Sequence, residues 1–387
     1  MRFCKTLIIL IATMLLLFVG KSAKAETLQI GIINPLSGPG AEWGLGALRG
    51  GEMATEEVNA KGGLKVGGKT YKVELLPYDD KYTAKEGVAA AEKLVYRDKV
   101  KFIFGGVSSA SLLAFQPITE KEKVLVLCNS FTDQALSPQK PFTLRVLMTS
   151  VEGIPLMADW VLKEYPKIKK ALSFAPNDAS GYAGVKDFEK AFKKHGIDLL
   201  SKEYYERGTK DFSPLATRVQ MLNPDVIAMT NAPTSDSALM VKLLREMGSQ
   251  TFFVDCVSLD YKQMVQIAGK KAAEGYMWGA FHDNNDSKVK EFNERYKKKY
   301  GMDITTFQYP SFYQAFKAFY YAVEKSQSLD PATVRDTIKY RIPEFEGIMG
   351  KMEFGGKEFY GIDNQYYGPY YASTIRDGEQ VILKKLR

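Results

Sequence analysis

Short polar stretches that each follow an apolar run hold the residues best suited to chemistry on a small molecule. Pro35-Leu36-Ser37-Gly38-Pro39-Gly40-Ala41-Glu42-Trp43-Gly44 supplies a hydroxyl at Ser37 and an aromatic face at Trp43. Gly105-Gly106-Val107-Ser108-Ser109 offers backbone amides beside the hydroxyls of Ser108 and Ser109. Where such a loop opens a helix, the free N–H groups and the positive dipole end favour a carboxylate. Asn129-Ser130-Phe131-Thr132 closes a third run and adds Asn129, Ser130 and Thr132 to the same edge. Further along, Asn177-Asp178-Ala179-Ser180-Gly181-Tyr182, Asn231-Ala232-Pro233-Thr234 and Asp255-Cys256-Val257-Ser258 occupy equivalent places. Ser180, Tyr182, Asn231 and Asp255 are the candidates of this second set, and Asp178, Asp236 or Asp255 has the charge to pair with a ligand amine. Any one loop alone is turn or cap chemistry. Three at consecutive strand ends in each half mark a binding edge, because open α/β sheets bind ligands beyond the carboxyl ends of their strands.

Other chemistries fail on detail. Gly38, Gly40 and Gly44 run as GxGxxxG rather than GxGxxG, prolines interrupt the turn, and no GK[ST] follows, so a nucleotide cradle is not expected. No GxSxG elbow is present, and neither His195 nor His282 stands in a triad signature, so an exported hydrolase lacks its nucleophile and base. There is no CxxC and no Cys/His cluster, hence no metal and no cofactor is implied. Lys297-Lys298-Lys299 reads as a solvated helix face, and the Tyr-rich tail as strand and surface packing.

The elements that must position these loops alternate in the manner of βαβ units, which makes the fold class α/β with mostly parallel sheets. Strands are expected at 28–33, 73–78, 100–105 and 124–128, with helices at 46–60, 83–97, 109–122 and 152–163. After Pro166 the rhythm restarts, with strands at 170–175, 199–205, 226–230 and 252–256 and helices between them. Helices at 287–300, 311–325 and 331–339 precede a strand pair at 370–375 and 381–385, turned by Asp377-Gly378. Two similar lobes follow from this repetition.

The chain has 387 residues, 45% hydrophobic and 25% charged, an ordinary globular composition long enough for two cores. Residues 1–25 read as a secretory leader: Arg2 and Lys5, an apolar run from Leu7 to Val19, and Ala23-Lys24-Ala25 as the cleavage site. That run is too short for a membrane-spanning helix, which needs about 20 residues. Cys4 precedes it and cannot become a lipid anchor. The formal charge of +8 includes Arg2, Lys5, Lys21 and Lys24, and without those bases it is too small to argue for nucleic acid or a membrane surface. The product is expected to be exported to the periplasm. Cys128 and Cys256 end apolar runs and are expected as buried free thiols.

In Ile30-Gly31 through Ser37-Gly38-Pro39 to Gly44, in Glu57-Val58-Asn59-Ala60-Lys61-Gly62-Gly63, in Tyr78-Asp79-Asp80, and in Ile267-Ala268-Gly269 with Ala273-Glu274-Gly275, the chain resembles the type I periplasmic binding proteins. The likeness is to the leucine/isoleucine/valine-binding branch that serves ABC importers, and it spans nearly the whole exported chain. It implies two Rossmann-like lobes joined by three crossovers, residues 26–146 plus 282–342 forming one and 147–281 plus 343–387 the other. A small-molecule ligand would lie between them and a membrane ABC permease would receive it, with the receptor a monomer. Trp43 stands where the family carries an aromatic, Ser109 matches the serine that holds a ligand carboxylate, and Ser130 and Thr132 fall where the family uses backbone and a hydroxyl for the same end. Ser180 departs from the usual aromatic, and no amine-binding glutamate aligns with 255–258. The resemblance therefore implies an amino acid as first choice, with an aromatic acid, an amide or urea as alternatives, and a sensor docking to a membrane kinase as an alternative role.

Overall fold

The computed structural model describes residues 26–256 and 259–387, so the expected leader and Val257-Ser258 lie outside the described residues. Strands β1 (Glu26–Asn34), β2 (Leu64–Val66), β3 (Lys69–Asp79), β4 (Phe102–Gly105), β5 (Leu125–Cys128) and β6 (Thr143–Arg145) build the first sheet. Then β7 (Ala171–Pro176), β8 (Leu199–Tyr205), β9 (Val226–Met229), β10 (Phe252–Asp255) and β11 (Met277–Ala280) build the second. The tail adds β12 (Glu346–Gly347), β13 (Gly350–Lys351), β14 (Glu353–Gly355), β15 (Gln365–Tyr367), β16 (Tyr371–Arg376) and β17 (Glu379–Lys385).

Strand order is β14-β15-β6-β5-β4-β1-β3-β2 in the first sheet and β17-β16-β11-β10-β9-β7-β8 in the second. The central pairings are parallel, and antiparallel strands sit at the rims. Each sheet is buried on both faces. In β4, Phe102 and Phe104 point into one core and Ile103 into the other, and in β9 Val226 and Ala228 oppose Ile227 and Met229. This is the period-2 alternation of a strand covered on both sides by helices. The chain crosses between lobes after β6, after β11 and after β15.

The tail departs from expectation. The stretch from 343, expected whole in the second lobe, divides: β14 and β15 extend the first sheet, and β16 with β17 joins the second. The reason is a hydrogen-bonding demand at the sheet edge. The Arg145 amide donates to the Asn364 carbonyl at 2.9 Å and its buried guanidinium Nε to Gln365 Oε1 at 2.5 Å, so β6 requires this segment as its neighbour. Strand β11 and helix Tyr261–Ala268 were also not anticipated, being too short to show a period.

Helix Ala41–Ala60 lies against helix Gln308–Ser326 at close range, which fixes the entrance to the first-lobe edge. A Cβ at Gly50 would sit 2.4 Å from the Tyr309 carbonyl, so that face of the helix must be glycine. Beneath it Phe104 stacks on Phe316 with centroids 3.6 Å apart. Cys128 and Cys256 are free and buried, and burial pushes the Cys128 thiol up to about 11.

Candidate functional site

In each sheet the strand order reverses at one place, between β3 and β4 around β1 and between β8 and β9 around β7. Such switch points leave a crevice at the strands' carboxyl ends. The loops of the two crevices close on one another around some 440 Å³ of space between atoms. Trp43, Tyr82, Val107, Asn129 and Phe131 line it from the first lobe, with Phe307 and Gln308 from the start of helix Gln308–Ser326; Ser180, Arg207, Asn231, Ala232 and Thr234 line it from the second. A larger neighbouring space, some 950 Å³ between atoms, lies beyond Phe307 and is lined from Asp260, Trp278 and His282 round to Asp303 and Gln380, away from both switch points.

The two lobes reach the cavity through similar backbone. A Cβ at Gly44 would lie 1.9 Å from the Pro35 carbonyl, and one at Gly181 would lie 1.9 Å from the Pro176 carbonyl. Each strand-to-helix turn is therefore tight enough to demand glycine one turn into the helix. On the first lobe, Asp79 gathers the Leu36 amide at 2.8 Å and the Ser37 hydroxyl at 2.5 Å. Tyr82 is carried on a turn in which Lys81 and Tyr82 have φ of 48° and 63°, held by the Asp79 and Asp80 carboxylates accepting from their amides. Strain of this kind clusters where a side chain must be aimed. The Tyr82 ring packs where Gly40 leaves room and lies 6.0 Å from Trp43.

Arg207, on the loop after β8, reaches into this aromatic corner. Its guanidinium carbon is 5.0 Å from the Trp43 ring centre and 4.8 Å from that of Tyr82. Nε donates to Asp178 Oδ2 at 2.5 Å, and Nη2 donates to Ser180 Oγ and to the Asn231 carbonyl, both at 3.1 Å. Nη1 is buried and donates to no protein group. Burial works against the Arg207 charge, but Tyr82, Asp178 and Tyr205 outweigh it and hold the side chain ionised. Burial likewise pushes the Asp178 carboxyl up, and the charge and hydrogen bond of Arg207, with Ser180 and the Gly181 amide, bring it below its ordinary value. Asp178 is thus a full acceptor: Oδ1 takes the Ser180 amide and hydroxyl and the Gly181 amide.

Of the residues singled out in the sequence, Trp43, Asn129, Ser180 and Asn231 meet at the cavity. Ser37 does not line it, its hydroxyl being taken by Asp79 at the exposed rim. Ser108 caps helix Ser109–Lys121 by accepting from the Ser111 amide. Ser130 donates to Ser109 at 3.0 Å behind the lining, and Thr132 caps a turn by accepting from the Gln134 amide. Tyr182 is 48% exposed and hydrogen-bonds Asn177 on the outer side of its helix. Asp255 is buried at the end of β10 and accepts from the Tyr276 hydroxyl at 3.3 Å, outside the lining. Asp236 accepts from the Tyr205 hydroxyl at 2.9 Å.

Tyr82 and Arg207 escaped the sequence reading, although both stand on loops after strands. The available signal was position: 206–212 follows β8 as 177–182 follows β7. Arg145 escaped it too. It is fully buried, and its Nη1 donates to the Ser130 and Thr132 carbonyls at 3.2 and 2.8 Å, fixing the loop that carries Asn129 and Phe131.

The periplasmic binding protein family model matches residues 27–380. The leucine-specific-binding protein of Salmonella typhimurium is 28% identical over 269 residues, covering 69% of this chain and 71% of that protein. The crystal structure of a leucine binding protein from Thermotoga maritima has a TM-score of 0.78 at 22% identity, covering 93% of this chain and 98% of that one. A solute binding protein of an ABC transporter from Rhodopseudomonas palustris BisB5, in complex with 3,4-dihydroxy benzoic acid, has a TM-score of 0.79 at 21% identity, covering 93% and 97%.

Proposed function

Since the chain belongs to the periplasmic binding protein family, a family of solute-binding proteins and not of enzymes, we propose that it is the receptor that closes on a small carboxylate-bearing solute and delivers it to an ABC permease. The observation that carries this reading is the cavity itself, walled from two lobes at facing switch points and reached by three crossovers that can flex as a hinge. Affinity comes from lobe closure, which takes the ligand's charge out of water and into charge-assisted hydrogen bonds. We take the receptor to be a monomer, exported by removal of residues 1–25. Among the described residues no helix is long and apolar enough to cross a membrane.

The proteins it resembles are named for leucine or were crystallised with an aromatic acid, and a carboxylate is common to both ligands. An amino acid is the first choice on the names of the curated relatives. An acid without an amine is the second reading, favoured by Arg207 standing in the second-lobe wall. The test is a thermal-shift screen of the exported chain against amino acids, aromatic acids, dicarboxylates and amides. A ligand present at about 100 times its Kd stabilises by roughly 2.7 kcal/mol, a readily visible shift. Silence from every carboxylate in a folded sample would sink the receptor reading.

A further inference from the structure

We infer that Arg207 takes the ligand's carboxylate, so that the second lobe holds the anion, and that the ligand is a small, flat hydroxy acid with no ammonium group. The inference rests on the solute-receptor reading above and takes its second ligand reading, the acid without an amine, in place of the amino acid that the relatives' names suggest.

A guanidinium carries five N–H donors in a rigid fork. Three are spent on Asp178, Ser180 and the Asn231 carbonyl. The remaining two are both on Nη1, buried and without a protein acceptor, on a residue that lines the cavity. A buried charged donor left unmatched is costly, and a carboxylate oxygen is the acceptor that matches it best. The fork is also aimed in advance: Trp43 and Tyr82 stack on it from the facing lobe, and Asp178 fixes Nε, so little side-chain freedom remains to be lost on binding.

The same wall opposes an ammonium. No carboxylate is among the described residues that line the cavity. Asp178 is saturated by Arg207, Ser180 and the Gly181 amide. Asp255 accepts from Tyr276 behind β10. An α-ammonium would therefore meet a buried cation first, while Glu42 and Asp236, the other acids that feel the Arg207 charge, stand outside the lining with their carboxyls raised towards neutrality.

The first-lobe wall offers the complementary chemistry. The Ser311 hydroxyl donates to the Gln308 carbonyl at 3.2 Å and so receives the Asn129 amide nitrogen at 2.8 Å, which leaves Asn129 Oδ1 turned away as an acceptor. Asn129 Oδ1 and Gln308 Oε1 are both buried with no donor, and both residues line the cavity. Neutral amide oxygens suit a hydroxyl donor. Between the two polar ends the lining is Trp43, Tyr82, Phe131 and Phe307, aromatic faces whose chemistry suits a flat ring or planar chain.

The test is calorimetry of the exported chain with para-hydroxybenzoate, benzoate, benzamide and leucine. It is repeated on Arg207→Lys and on the charge-balanced pair Arg207→Gln with Asp178→Asn, each first checked for a cooperative melting curve. The wild type is expected to prefer para-hydroxybenzoate to benzoate, and benzoate to leucine. Both variants are expected to lose about 10- to 100-fold in affinity for the acids. Benzamide, which lacks the charge, is expected to change little. Leucine binding as tightly as the acids, or folded variants with unchanged acid affinity, would overturn the assignment while leaving the receptor reading intact. Failure of every carboxylate to bind the folded wild type would overturn both.

Discussion

Two buried arginines, one behind each wall of the cleft, show what separates support from recognition. Arg145 in the first lobe gives Nε to Gln365 and Nη1 to the Ser130 and Thr132 carbonyls, lays its guanidinium 4.8 Å over the Tyr360 ring, and sets Nη2 3.9 Å from Glu152. Its directed bonds go to its own chain and tie β6, the loop after β5 and β15 together, while Nη2 faces the Glu152 carboxylate without a hydrogen bond. Arg207 in the second lobe gives Nε and Nη2 to its own chain and leaves Nη1 undirected at the cavity. Two side chains of one type and similar burial thus differ in where the last donors point. The first-lobe wall is neutral and aromatic, shaped from behind by its arginine, whereas the second-lobe wall presents its arginine directly.

The hardest break of this comparison is Arg145→Met. It removes the cation that faces the Glu152 carboxylate and one donor from each of the Ser130 and Thr132 carbonyls, and urea unfolding should register a loss of about 3–5 kcal/mol. The charge-balanced Arg207 pair should cost far less stability, since no charge is left alone. The two turn glycines come next. Gly44→Ala and Gly181→Ala both force a Cβ onto a carbonyl 1.9 Å away, and each should cost about 3 kcal/mol in its own lobe. A difference of more than about 1 kcal/mol between them in chemical unfolding would break the equivalence of the two turns.

A pH effect sharpens the contrast at the rim. Glu42 begins the helix that carries Trp43, and burial, with the Asp260 and Asp236 charges, pushes its carboxyl from 4.5 up to about 7 against the pull of Gln263 and Arg207. Burial also pushes Asp260 up to about 6. Between about pH 4.5 and pH 7 the folded protein therefore keeps a proton that the unfolded chain has released. The stabilisation is complete below about pH 4.5 and is lost as pH rises through about 7. Glu42→Gln should flatten that slope and leave the protein more stable than wild type at pH 8 by about 1–2 kcal/mol, seen in melting curves across pH. A wild-type slope of the opposite sign would remove Glu42 from this role.

Smaller effects fall on the first-lobe wall. Trp43→Leu removes one face of the stack on Arg207 and should weaken acid binding by about 1–2 kcal/mol in calorimetry, with the melting point little changed. Ser109→Ala deletes the acceptor of the Ser130 hydroxyl and should cost about 1 kcal/mol of stability. Its effect on affinity ranks the two walls: a loss larger than that of Arg207→Lys would return the carboxylate to the first lobe.

Much of this was legible in the residues. The polar loops after strands, the α/β rhythm and the doubled architecture follow from local spacing, because strand periodicity and turn chemistry are written over a few neighbouring residues. Trp43, Asn129, Ser180 and Asn231 were found by the strand ends they follow. Tyr82 was not, because its aim depends on a turn with positive φ held by Asp79 and Asp80. Arg207 was not, because an arginine in a polar loop looks solvated until Asp178, Trp43 and Tyr82 are packed around it.

The sequence by itself determined the fold class, the two lobes and the edge at which the cavity lies, since these rest on patterns of hydrophobic burial and turn chemistry that any short window displays. The tertiary structure decided which polar groups remain unspent. Ser37, Ser108, Thr132 and Asp255 are satisfied by their own chain, while Asn129 Oδ1, Gln308 Oε1 and Arg207 Nη1 are not. Whether a donor or acceptor is free is a property of all its neighbours at once. Those neighbours come from segments 29 residues apart for Asp178 and Arg207 and 182 apart for Asn129 and Ser311, brought together by packing alone.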